Sequence, residues 1–132
     1  MTEQDRLVAY RLERARMSLE TAKLLYNNRR YHDVYNRLYY AGFYAVSALL
    51  LQLGFKAKTH AGLRSLFNQH VILAGLLPIE YSDIYNDLIE AREETDYEDL
   101  VEPDPLKLGE WLPLVKRFTD AIEQLIAERE QE

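Results

Sequence analysis

The 132-residue sequence predicts an all-α protein, an up-and-down antiparallel bundle of about five helices that forms one domain over residues 1–132. In each long segment, apolar residues recur at spacings of three and four, which is the period of a helix. The sequence contains no Asn-Gly hairpin signal and no alternating apolar run between turns, so nothing in it favours a β-strand.

Helix one is predicted over residues 3–27. Its apolar positions form a seam of the kind that packs against a neighbouring helix, and they are Val8, Leu12, Ala15, Leu19, Ala22 and Tyr26. Asn27 and Asn28 end the pattern, and asparagine tolerates the left-handed backbone on which many helices end.

Helix two, over residues 31–53, is predicted to be the element around which the others pack. Residues 38–55 include no charged side chain, so nearly every side of this helix needs an apolar cover. The run is long enough to span a membrane, but the polar groups within it favour a buried core helix. Gly42 costs about 1 kcal/mol relative to Ala inside a helix, which predicts a packing reason for it, and Gly54 is placed to end the helix. The surplus of apolar surface predicts a homodimer.

Helices three and four are marked by their boundary residues. Thr59 is a predicted N-cap for helix three, over residues 60–74, and Gly75 stops that helix. Pro78 suits the first turn of helix four, which is predicted over residues 78–95.

An acidic loop and a fifth helix complete the chain. Residues 96–105 hold two prolines and five acids, which argues against regular structure there. Asp104 and Pro105 then supply the N-cap and first residue of helix five, over residues 105–129. Its seam consists of Leu108, Leu112, Val115, Phe118, Ile122 and Leu125.

The charge of the chain is unevenly distributed. The net charge is −6, yet residues 1–70 hold 11 Lys/Arg against 5 Asp/Glu, whereas residues 71–132 hold 5 against 17. The early helices therefore form either ordinary solvated faces or a basic face that can meet phosphate. The absence of cysteine excludes disulfides, thiolate zinc sites and a cysteine nucleophile, and together with the polar N-terminus it leads us to expect a cytoplasmic protein.

No metal site and no cofactor is predicted. His32, His60 and His70 lack metalloprotease spacing, and the acidic loop lacks the glycine and the terminal glutamate of a calcium loop. No glycine-rich phosphate loop occurs either.

One group of residues on helix two could carry chemistry. It consists of Arg37 with Asn36, Tyr40 and Tyr44. A guanidinium forks onto phosphate oxygens, and tyrosine stacks on a base or donates a hydrogen bond. The alternative is an Asp33–Arg37 ion pair one turn apart, with the tyrosines in the core.

Two further groups lie later in the chain. The basic connector 55–58 leads into His60, where cations and a helix N-terminus attract anions, and the alternative is a solvated helix start. Arg92 and Asp96 are four residues apart and are expected to pair. The functional alternative is that the side chains of Arg92 and Tyr97 line the same cleft.

These motifs resemble the HEPN domain, and among its branches the small stand-alone prokaryotic HEPN proteins. The resemblance lies in Arg-Leu-Tyr-Tyr-Ala-Gly-Phe-Tyr-Ala at 37–45, Lys-Thr-His at 58–60 and Arg-Glu-Glu-Thr-Asp-Tyr at 92–97, in matching order and spacing. It implies an antiparallel and usually dimeric bundle. Many HEPN proteins accompany a minimal nucleotidyltransferase, often as a toxin–antitoxin pair, and others are metal-independent ribonucleases.

Those ribonucleases carry an Arg and, further along the same helix, a His. Arg37 matches the Arg, but Tyr44 stands at the position of the His. Tyrosine has a reference pKa near 10, against about 6.5 for histidine, so it is a poor general base near neutral pH. His60 matches the pattern of the branch, but it lies on another helix.

The resemblance and the missing His lead us to expect a non-catalytic subunit that binds a nucleotide, RNA or a nucleotidyltransferase partner through a homodimer cleft. The expected binding residues are Asn36, Arg37, Tyr40, Tyr44, Lys58, His60, Arg92 and Tyr97. One alternative is a ribonuclease toxin with Arg37, His60 and Tyr44 as catalytic residues. The other is a purely structural dimerisation module, because a fold does not by itself imply a function.

Overall fold

Five α-helices follow one another in an antiparallel bundle in this computed structural model, which describes residues 1–97 and 102–131, without the side chain of Tyr97. They are α1 (Glu3–Asn27), α2 (Val34–Gln52), α3 (His60–Phe67), α4 (Glu80–Tyr97) and α5 (Pro105–Glu130). No strand occurs among the described residues. The predicted all-α class is confirmed.

The central position of α2 is confirmed as well. Of its 19 residues, 13 are buried, and the helix packs against α1, α4 and α5. Its uncharged run is therefore covered by the other helices. Within residues 1–97 and 102–131, no helix has both the length and the apolar character that crossing a bilayer demands.

Gly42 lies in the middle of α2, but its packing does not require glycine. A Cβ atom built there would lie 3.5 Å from Leu88 and 3.6 Å from Phe118 and Tyr85, which is ordinary van der Waals contact. The predicted packing reason for Gly42 is therefore wrong, because the neighbouring side chains leave room for a methyl group.

The two ends of α1 are capped by different means. At the start, Thr2 Oγ1 accepts from the Asp5 backbone N–H at 3.1 Å, and the Asp5 carboxylate accepts from the Thr2 N–H at 3.0 Å. At the end, the left-handed residue is Arg29, with φ of 60°, and not an asparagine as predicted. The Asn28 side chain instead donates to the Leu24 carbonyl at 2.8 Å, and Asn28 keeps a negative φ.

The start of α2 and the end of α3 differ slightly from their predicted bounds. A 3-10 turn, Tyr31–Asp33, precedes α2, which is a common start for an α-helix. After α3 the chain continues as a π-helical turn, Asn68–Ile72, where one α-helix was predicted to residue 74. The Asn68 side chain accepts from Ser82 Oγ at 2.7 Å and so ties this turn to α4.

The bounds of α4 and α5 follow from local hydrogen bonds. The predicted start of helix four at Pro78 is wrong: α4 begins at Glu80, and the Pro78 carbonyl accepts from the Tyr81 N–H at 3.1 Å at the start of the helix. The N-cap of α5 is confirmed, since Asp104 accepts from the Leu106 N–H at 3.0 Å. Asp96 and Tyr97, predicted to open the acidic loop, belong to α4, and residues 98–101 lie outside the described residues.

Candidate functional site

Arg37 is half-buried on the first turn of α2. Its Nε donates to Asn36 Oδ1 at 3.0 Å, and its guanidinium lies 5.3 Å from the centre of the Tyr40 ring. Among the described residues, no ion pair joins Arg37 to Asp33. The expected Asp33–Arg37 pair is therefore wrong, because the neighbouring Asn36 amide oxygen and the Tyr40 ring hold the guanidinium instead.

Asp96 connects α4 to this part of α2. One carboxylate oxygen, Oδ2, accepts from Asn36 Nδ2 at 3.0 Å and from Arg92 Nε at 3.1 Å. The Arg92–Asp96 pairing is thus confirmed, with side chains only 15% and 18% exposed. Because Asn36 donates to Asp96 through its nitrogen, its oxygen faces Arg37, so Asp96 indirectly orients the Arg37 guanidinium.

Arg92 lies over aromatic rings as well as beside Asp96. Its guanidinium is 4.6 Å from the centre of the Tyr39 ring and 5.5 Å from that of Tyr40. Each such cation–π contact contributes about 0.5–2 kcal/mol, depending on exposure. Arg37 and Arg92 therefore share the Tyr40 ring, although they come from different helices.

His60, the first residue of α3, joins the same cluster. Its Nδ1 is hydrogen-bonded to the hydroxyl of Tyr39, and its ring stacks on Phe43 with centroids 4.5 Å apart. Partial burial, and secondarily the charge of Arg92, lowers the pKa of His60 below its ordinary value, so the neutral imidazole predominates at pH 7. Burial raises the pKa of Tyr39 to about 12, so its hydroxyl keeps its proton.

A groove of about 560 Å³ adjoins His60, and Tyr44 and Lys58 line it. The Tyr44 ring lies 6.1 Å from the Tyr40 ring, which places the groove next to the cluster. We call Asn36, Arg37, Tyr39, Tyr40, His60, Arg92 and Asp96 the Arg37 cluster.

Comparison with known proteins places the chain in a family. The sequence model of the HEPN domain matches residues 8–125. The chain belongs to the HEPN family. A UPF0332 protein of Thermotoga maritima is 40% identical over 126 residues, which is 96% of each chain.

Two other relatives are matched over shorter stretches. A UPF0332 protein of Gloeobacter violaceus is 42% identical over 80 residues, or 61% of each chain. A protein of Methanocaldococcus jannaschii that bears the name "Putative toxin" is 34% identical over 91 residues, covering 69% of this chain and 62% of the relative.

The structure brings together most of the residues predicted for this HEPN site. Asn36, Arg37, Tyr40, His60 and Arg92 fall in one connected cluster. Tyr44 and Lys58 lie in the adjoining groove, and the side chain of Tyr97 is outside the described residues. Over the ranges that the structure describes, no three His, Asp or Glu side chains lie together as metal ligands.

Sequence reasoning missed three residues that contact the candidate site. Tyr39 and Phe43 look like core residues of an apolar helix, and no local signal distinguishes them as the partners of His60. Arg14 lies 5.5 Å from the centre of the Tyr44 ring, but its position outside the α1 seam gives no hint of this contact.

Proposed function

We propose that this HEPN protein binds RNA or a nucleotide through the Arg37 cluster without cleaving it. The observation that supports this most is the clustering of Arg37, His60 and Arg92, from three helices, around the Tyr39 and Tyr40 rings. Cations beside aromatic rings suit a ligand that is both a phosphate and a base.

Arg37, Arg92 and His60 have separate roles in this proposal. The Arg37 guanidinium donates a hydrogen bond to Asn36 through Nε, and its remaining N–H donors bind phosphate. Arg92, held by Asp96, supplies positive charge and fixes the tyrosine rings. His60, neutral at pH 7, offers its outer ring edge as a hydrogen-bonding group without adding charge.

A binding measurement with matched arginine variants tests the proposal. Fluorescence anisotropy of a labelled single-stranded RNA at low salt should give an affinity at least about tenfold weaker for Arg37→Ala, the size expected for one charged hydrogen bond. Arg117→Ala removes the same charge from an exposed position on α5 and should leave the affinity nearly unchanged. Equal affinities for both variants, or no binding by the wild type, would refute the proposal.

The proposal includes a homodimer in which two Arg37 clusters face a common cleft, with a minimal nucleotidyltransferase as partner. An exposed apolar face on α1 supports a dimer, and its residues are Leu7, Tyr10, Met17 and Leu24. Sedimentation should give a dimer at micromolar concentration, and Met17→Glu should give a monomer. Tagged protein should co-purify with a nucleotidyltransferase from cells that encode one, and a monomer without partner would remove this part of the proposal.

The second candidate function is a metal-independent ribonuclease toxin. The relatives named as toxins and the neutral, oriented imidazole of His60 favour it. Arg37 would stabilise the scissile phosphate, and His60 or Tyr44 would move the proton. Expression in cells separates the two functions, because a toxin arrests growth while its Arg37→Ala variant does not. Growth unaffected by either protein would exclude the toxin.

A third candidate is a structural dimerisation module in which Arg37 serves only packing. It predicts that Arg37→Ala strongly lowers the urea midpoint of unfolding while RNA has no effect on that midpoint. Stabilisation of the wild type by RNA, lost in Arg37→Ala, would contradict it, since a ligand stabilises only the state that it binds.

A further inference from the structure

The groove beside His60 has an unusual balance of charge. Side chains from α1, α2 and the connector before α3 line it, among them Arg11, Lys56 and Lys58. Among the described residues, no Asp or Glu lines it, although the whole chain has a net charge of −6. A concave surface with cations and no acid attracts an anionic ligand.

Two arginines of α1 lie at or beside the groove, close to α2. Arg11 Nη1 donates to the Ser47 carbonyl at 3.3 Å, which fixes this guanidinium against the wall formed by α2. Arg14 lies over the Tyr44 ring. Arg11, Lys56 and Lys58 line the groove, and no ion pair between described residues engages them or Arg14.

The groove and the Arg37 cluster share one aromatic wall on α2. The Arg37 guanidinium lies over the Tyr40 ring, and the centres of the Tyr40 and Tyr44 rings are 6.1 Å apart. The centre of the Phe43 ring lies 5.7 Å from that of Tyr40 and 5.6 Å from that of Tyr44. At about 1.5 Å of rise per residue, the wall from Arg37 to Ser47 is roughly 15 Å long. A stacked strand places one phosphate about every 3.4 Å, so this length spans roughly four nucleotides.

We propose that the groove is the second half of one RNA track that begins at Arg37. The ligand is then a single-stranded oligoribonucleotide of about four or more nucleotides and not a mononucleotide, which deepens the proposed function and rests on it. Arg37 binds a phosphate at one end, Lys56 and Lys58 bind phosphates at the other, and a base stacks on the ring of Tyr44. An acidic protein segment would match the lysines, but it would give the aromatic wall nothing to stack.

The test compares oligoribonucleotides of increasing length on full-length protein variants. Wild-type affinity should rise steeply up to roughly four nucleotides and then level off. Lys56→Ala/Lys58→Ala should weaken binding of a strand of about ten nucleotides at least tenfold while leaving a dinucleotide unaffected. For this double variant, the slope of log affinity against log salt concentration should be shallower by about 1.4, because two phosphate contacts are lost and each contact to a single strand contributes about 0.7. Lys23→Ala/Lys107→Ala removes the same charge from exposed positions elsewhere and should change neither affinity nor slope.

The results separate this inference from the proposed function. Arg37→Ala could weaken the binding of oligoribonucleotides of every length while Lys56→Ala/Lys58→Ala binds them as well as the Lys23→Ala/Lys107→Ala control does. That result would overturn the RNA track and leave the Arg37 site standing. If affinity does not depend on length, the track is likewise overturned. If no RNA or nucleotide binds, or if only an acidic peptide binds, both proposals fail.

Discussion

Removing the Asp96 carboxylate perturbs the network that joins α2 to α4. Its Oδ2 accepts from Arg92 at 3.1 Å and from Asn36 at 3.0 Å, and the Arg92 and Asp96 side chains are less than one fifth exposed. Both hydrogen bonds are accepted by a charged carboxylate, and a hydrogen bond to a charged group contributes about 1.5–3 kcal/mol. Because both bonds share one oxygen, we expect Asp96→Ala to lower the free energy of unfolding by roughly 2–4 kcal/mol.

Urea denaturation followed by circular dichroism measures this change. With a slope of about 2 kcal/mol per molar urea, the Asp96→Ala midpoint should fall by about 1–2 M. Asp87→Ala, at an exposed position on the same helix, should stay within about 0.5 kcal/mol of the wild type. The folded Asp96→Ala protein should also bind RNA more weakly, since Asn36 no longer holds Arg37 in place. Midpoints that coincide for the two variants would refute the network as a source of stability.

Three further changes test other parts of the structure. Because burial and Arg92 lower the pKa of His60, the unfolded chain binds this proton more readily, so stability is complete above about pH 6.5 and declines as pH falls toward the native pKa. The wild-type urea midpoint should therefore drop more than that of His60→Gln between about pH 7 and pH 5. An equal drop in both midpoints would contradict the lowered pKa of His60. Gly42→Ala should raise the free energy of unfolding by about 0.5–1 kcal/mol, since the methyl group fits and Ala favours a helix; a lower midpoint would show that the packing is tighter than the distances indicate. Phe118→Ala empties a fully buried position between α2, α4 and α5 and should cost about 3–5 kcal/mol, and a loss below about 1 kcal/mol in calorimetry would argue against this core.

Contacts within one helix could be predicted from the sequence, whereas contacts between helices could not. The spacing of three residues predicts that Arg37 meets Tyr40, and the spacing of four predicts that Arg92 meets Asp96. The hydrogen bond between Tyr39 and His60 depends on how α3 packs against α2, and no periodic pattern encodes that rotation.

The ends of helices were predictable where glycine or a capping side chain decides them. Gly54 and Gly75 take the positive φ values of 93° and 79° that their predicted role as helix stops requires. The π-helical turn after α3 was not predictable, because it accompanies a hydrogen bond between Asn68 and Ser82 across two elements.

Photo-crosslinking of a 4-thiouridine-labelled RNA to the wild-type protein, mapped by mass spectrometry, tests the central claim most directly. The predicted crosslinks fall on the aromatic wall of α2, at Tyr40, Phe43 or Tyr44, and an excess of unlabelled RNA should abolish them. Crosslinks confined to α5, or none above background, would contradict the assignment of this face to RNA.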